Sequence, residues 1–221
     1  MRAGWKMTTA VAALAMAVPV WAQFGMRSPS ISGVFHPVVG NGAAYEMKGH
    51  DPGAKDIEMA VVGKEDYEGQ TGYWLETSFQ DPRGGMGAMK TLMVMEGPNP
   101  GAKRMIMMMN GQAYEFPMNN PMMGQRMAQS APHDIRSDKT IVRVGTETIT
   151  VPAGTFSCEH YRSSDGSSEF WISDKVSPWG LVKSVSKDNT MVLTRQITNA
   201  TSKITGPVKP FDPMQMMQQR P

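Results

Sequence analysis

The chain is 221 residues long, carries 22 basic and 20 acidic side chains, and has a single cysteine, Cys158. One cysteine excludes an internal disulfide, so stability has to come from packing. The net charge of +2 belongs to the first residues: without Arg2 and Lys6 the basic and acidic groups balance at 20 each, which removes the electrostatic argument for a nucleic-acid partner.

Residues 1–6 hold those two cations, 7–18 form an uncharged, Ala-rich run, and Pro19 interrupts it, which is the layout of a secretory signal. Val20 and Ala22 suit the pockets of a signal peptidase, so residues 1–22 are expected to be removed after Ala22, leaving a periplasmic or extracellular protein. The apolar run is too short to span a bilayer, no second such run follows, and no cysteine stands at the cut to receive a lipid.

Residues 23–42 mix Ser, Pro and Gly without a sustained period and read as a lead-in draped over the domain. A single antiparallel β domain is expected over 43–205. Tyr45 and Met47 alternate with Glu46 and Lys48, Asp51-Pro52-Gly53 turns the chain, and Ile57, Met59 and Val61 alternate again, a hairpin signature. Over 72–79, Tyr73, Leu75 and Phe79 share one face and Trp74, Glu76 and Ser78 the other. A strand over 89–96 and a break at 97–101 follow, and then 104–109, apolar on both faces as in a strand covered on both sides or one lining a cavity. Asn110-Gly111 turns this strand back into 113–116. Residues 117–130 are rich in Met, Asn and Gln and read as a short helix or loop, the best candidate for a lid. Six short strands, 140–144, 147–151, 156–162, 169–173, 181–186 and 191–198, then complete a meander without βαβ units. The tail, 206–221, with four prolines, reads as disordered.

Three stretches carry a family resemblance. They are Val144-Gly145-Thr146-Glu147-Thr148-Ile149-Thr150-Val151-Pro152-Ala153-Gly154-Thr155-Phe156, Phe170-Trp171-Ile172-Ser173, and Pro178-Trp179-Gly180-Leu181-Val182-Lys183. Together they resemble periplasmic proteins of unknown function related to the lipoprotein carriers LolA and LolB. The residues agree with the unit, since Pro152 presets a tight turn that Gly154 closes. The resemblance implies a mainly β fold: a strongly curved antiparallel sheet forming an incomplete barrel, with short helical or loop cover over an apolar concave face able to hold an acyl chain. The long N-terminal helix and the gating arginine of the carriers have no counterpart in this sequence.

Methionine is the compositional outlier, at 22 residues, 19 of them beyond the leader. Unbranched thioethers fill cores, but they also make pliable surfaces for apolar ligands. The expected ligand-binding residues are Met93, Met95, Met105, Met107, Met109, Phe116, Met122 and Met123. Thioethers are also soft ligands, and Met105, Met107 and Met109, two apart on one strand face, offer an alternative Cu(I) site. Cys158 and His160 share a face but diverge from it, so a buried, inert thiol is expected. His36, His50 and His133 lie in loop-like contexts without ligand spacing. Glu65, Asp66 and Glu68 around Tyr67 read as a solvated turn.

No nucleophile, base and orienting partner can be named together, so no enzyme is expected. The reading is an exported, non-catalytic binding module for an acyl-chain or other apolar ligand, without a cofactor. Its alternatives are a methionine-based copper or redox-buffering protein, and a structural envelope protein that binds partners through a sheet edge or its tail.

Overall fold

The alternating segments assemble into one sheet because each buries only one of its two faces and must find neighbours along its edges. The computed structural model describes residues 32–49, 56–80, 86–97, 100–109, 111–116, 118 and 133–212. Six strands follow one another antiparallel: β2 (Gly42–Gly49), β3 (Asp56–Tyr67), β4 (Gln70–Gln80), β5 (Met86–Val94), β6 (Gly101–Met109) and β7 (Gln112–Phe116). A second meander comprises β9 (Ile141–Val151), β10 (Gly154–Ser163), β11 (Ser168–Ile172), β12 (Leu181–Ser186) and β13 (Asn189–Ile197). Antiparallel pairing of β13 with β2 fuses the two, and β14 (Val208–Pro210) lies parallel to β7, making twelve strands. A separate parallel ladder joins β1 (Ser32–Gly33) to β8 (His133–Asp134), next to a 3-10 turn at Ile135–Ser137.

The sheet is curved and does not close. Its register shifts at Val61/Gly63, Leu92/Met93, His160/Tyr161, Trp171/Ile172 and Leu193/Arg195. Each extra residue adds local bend and twist, so a sheet bulged this often curls round its own side chains. Tight turns hold the meanders. Glu68 and Gly69 both have positive φ, 53° and 78°, as a two-residue hairpin loop requires, and Asp66 Oδ1 accepts from the Gly69 N–H at 3.1 Å. Pro152-Ala153 connects β9 to β10 as expected.

The core lies on the inner face. Tyr45, Ile57, Met59, Leu75, Met93, Trp179, Leu181 and Leu193 are buried in one cluster with Phe156, Cys158 and Ile172. Its cover is made of loops rather than helices: the 3-10 turn is the only helical piece among the described residues. Residues 34–36 run alongside the β11–β12 loop, with Val34 N donating to Trp179 O (2.8 Å) and His36 N to Pro178 O (2.7 Å). The Phe35 ring lies 4.7 Å from that of Trp179 and 6.2 Å from that of Tyr73. Gly180 closes this loop at φ +67°, where a Cβ would meet Ile172 Cγ2 at 2.8 Å.

On the outer face, residues 200–206 form a strap. Ile204 packs with Ala88, Ile106 and Ala113, flanked by Trp74 and Met108. Glu76, facing outward from β4, is buried under the strap; its carboxylate accepts from Ser202 Oγ (2.6 Å) and the Lys203 N–H (2.7 Å). Lys203 Nζ reaches Glu58 and Ser78. Two expectations change here. Residues 140–144 and 147–151, expected as two strands, are one, because Gly145 sits at a bulge beside His160 where the chain bends without reversing. The segment after 205, read from its prolines as unstructured, instead adds β14 at the sheet edge, where proline is tolerated. Residues 213–221 lie outside the described residues, as do 50–55 and 81–85.

Candidate functional site: the methionine and aromatic shelf

Beyond the edge of the core, the inner face continues across β5, β6 and β7. Register fixes its rows. Thr77, Met89, Met107 and Tyr114 are successive cross-strand partners, and so are Leu75, Thr91, Met105 and Phe116. Alternation sends Arg104, Ile106 and Met108 of β6 outward, the last two against the strap. The strand expected to be covered on both sides or to line a cavity is occupied outside by Ile204, while its inner side presents Met105, Met107 and Met109. Met105 and Phe116 are buried, at 6% and 2% exposure. Met89, Met107, Met109 and Tyr114 are only half-buried, so the row through Met107 is an open continuation of a packed core.

Phe211, at the end of β14, completes the shelf. Its N–H donates to Glu115 O (2.8 Å), which sets its ring stacked on Phe116 at 4.2 Å and edge-on to Tyr114 at 6.3 Å. The charges on these strands point the other way. Arg104 Nε donates to Glu115 Oε1 (2.6 Å) and Nη1 to Glu65 Oε1 (2.9 Å), and its guanidinium lies 5.2 Å from the Trp74 ring centre. The bond to Glu115 holds the arginine above its ordinary pKa. Glu65, expected in a solvated turn, is instead a strand residue that also accepts from Trp74 Nε1 (2.9 Å). Clearing charge to the outer side leaves a shelf of thioethers and rings.

Of the residues expected to bind a ligand, Met105, Met107, Met109 and Phe116 are brought together on this shelf. Met93 sits in the core at 3% exposure, and Met95 packs against that core rather than opening to the shelf. Met122 and Met123, with most of the lid candidate, lie outside the described residues. Sequence reasoning missed Met89, Tyr114 and Phe211. Met89 stands outside any Met-x-Met run, but counting back from the 97–101 turn brings it opposite Met107. Nothing local marks Phe211, which arrives through the parallel pairing of β14.

A polar cluster was also missed. His160 stacks on Trp171, centroids 4.6 Å apart, with Nε2 3.2 Å from Glu169 and Nδ1 3.6 Å from Glu147. Trp171 Nε1 donates to Glu147, and Lys183 Nζ lies 4.8 Å from the Trp171 ring centre. These groups satisfy one another and brace the β9–β12 side of the sheet. Cys158 beside them is buried, and burial pushes its thiol up to about 11, with Glu147 adding to the shift. Among the described residues no group of three or more His, Cys, Asp or Glu side chains could hold a metal ion. No helix among them is long and apolar enough to cross a membrane.

Fold and shelf together define a mainly β protein built on one open, curved sheet whose inner side carries a partly uncovered apolar surface. The chain belongs to the DUF4412 family, a domain of unknown function whose model matches residues 53–220. No curated protein matches it. Among solved structures it is similar to a presumed exported protein with YmcC-like fold from Bacteroides fragilis NCTC 9343. That match has 15% identity and a TM-score of 0.35, covering 74% of this chain and 99% of the other. It is also similar to a presumed lipoprotein from Parabacteroides distasonis ATCC 8503, with 16% identity, a TM-score of 0.37, and coverage of 75% and 99%.

Proposed function

We propose that this protein is exported and acts, without catalysis, as a binding module for an acyl chain or similar apolar ligand, held on the shelf over β5–β7. The observation that carries the reading is the half-buried row Met89–Met107–Tyr114, with Met109 beside it, continuing a fully packed core. Partly exposed apolar patches that are contiguous mark contact surfaces, and unbranched thioethers repack around a flexible chain at little cost in strain. Export rests on the leader over residues 1–22. Kinship of the scaffold with the lipoprotein carriers belongs to this proposal, and the segments over 144–156, 170–173 and 178–183 support it.

A fluorescent fatty acid such as cis-parinaric acid, titrated into the mature protein, tests the reading. Saturable uptake is expected, and Met107→Glu, which sets a charge in the middle of the row, is expected to abolish it while leaving the circular dichroism unchanged. Met89→Lys repeats the test from the neighbouring strand. Absence of uptake, or uptake indifferent to both charges, would reject the shelf as the site.

A further inference from the structure

We propose that Met89, Met105, Met107 and Met109 form a thioether site for Cu(I). Met107 stands at the centre of a cross of methionines: Met89 lies directly opposite on β5, and Met105 and Met109 lie two residues away on the same face of β6. Directly opposed Cβ atoms in an antiparallel pair are about 5 Å apart, and residues two apart on a strand are about 7 Å apart. The three rotatable bonds of each methionine span such gaps, so three of the four sulfurs can converge on one ion.

Access and selectivity both follow from the placement. Met89, Met107 and Met109 are half-buried and open to an incoming ion, whereas Met105, at 6% exposure, floors the site. Tyr114, opposite Met107 on β7, adds an aromatic ring on the same face, beside the methionines. Glu115, the one carboxylate on β5, β6 and β7, is engaged with Arg104 on the outer face, as is Glu65 of β3. Hard ions therefore find no oxygen cage here, while soft thioethers select Cu(I).

A thioether carries no proton to lose, unlike the thiol, imidazole and carboxylate ligands whose metal affinity falls in acid. Binding is therefore expected to be flat from about pH 7.5 down to about pH 5, the range over which histidine sites release their metal. The site does not depend on the acyl-chain reading, because it needs only the sulfurs, whatever apolar ligand the surface takes.

The test is an anaerobic titration of the mature protein with Cu(I) against bicinchoninate. The expected result is pH-independent competition for Cu(I), weakened about tenfold or more in the Met89→Leu/Met107→Leu double variant, since even a group supporting a ligand contributes on that scale. Circular dichroism of that variant should match the parent, so that weakened competition reports the lost sulfurs and not the fold. Absence of competition, competition unchanged in the double variant, or a marked fall in acid would each overturn the proposal. A second measurement needs no variant: with [13C-methyl]methionine labelling, Ag(I) should move the methyl signals of Met89 and Met107 in the NMR spectrum. Shifts confined to other methionines would overturn it equally.

Discussion

Glu76 is the residue through which the outer strap holds the back of the shelf, and replacing it gives a sharp test of the packing. It is 4% exposed, and its two oxygens accept from Ser202 Oγ at 2.6 Å and from the Lys203 N–H at 2.7 Å. Hydrogen bonds to a charged partner contribute about 1.5–3 kcal/mol each. Glu76→Ala removes both and leaves the Lys203 amide without its acceptor, but it also relieves the cost of burying a carboxylate. A net loss of about 3 kcal/mol is expected on that balance, which for a chain of this size corresponds to a fall in Tm of roughly 6–12 °C. Urea unfolding followed by tryptophan fluorescence measures it, with Ser202→Ala and the double variant closing a cycle whose coupling should exceed about 0.5 kcal/mol. Hydrogen exchange at the Lys203 and Ile204 amides should accelerate well beyond that of the β4 amides. If Glu76→Ala stays within about 0.5 kcal/mol of the parent, or the strap amides keep their protection, the carboxylate does not anchor the strap and the account of the outer face is wrong.

Three further outcomes follow from the same physics. Cys158, buried with its thiol raised to about 11, should resist iodoacetamide at neutral pH and react promptly once the protein is unfolded; fast labelling of the native protein would contradict its burial. The Glu58 carboxyl lies below its ordinary pKa, first because it accepts from Lys203 and then by the nearby charges of Lys203 and Arg195. Its contribution is thus present above the unfolded-state carboxyl pKa and lost as pH falls through the lower folded value, so Glu58→Gln should lower stability by a constant amount at neutral and alkaline pH and flatten the acid limb of the profile. Gly180→Ala forces a left-handed residue into contact with Ile172 Cγ2 at 2.8 Å and Ser173 O at 3.1 Å. It should cost about 3 kcal/mol in urea unfolding, and a neutral substitution would show that the loop has room to relax.

The alternation of polar and apolar residues makes most of the sheet legible in the sequence, because a half-buried strand has to alternate. Leu75 inward and Glu76 outward follow from this alone. What the pattern hides is anything set by partners far along the chain. Glu76 reads as a solvent-facing carboxylate until the strap arrives from residues 202–203 to bury it. The break between 144 and 147 reads as the end of one strand and the start of another, and only the pairing with β10 shows a bulge there instead. Half of the shelf was visible as Met105, Met107 and Met109 at period two. Met89 and Phe211 needed the register of β5 with β6 and of β14 with β7. Likewise, His160 gains Glu147, Glu169 and Trp171 through cross-strand pairing that no local spacing announces.

The most direct test of the central claim is native mass spectrometry of the protein purified gently from the cell envelope. The expected result is a population carrying added mass in the range of an acyl chain or lipid, released by organic solvent and absent from Met107→Glu. A mature chain that comes off at its bare polypeptide mass under every gentle extraction, and gains nothing when incubated with fatty acid, would contradict a shelf built to hold an apolar ligand.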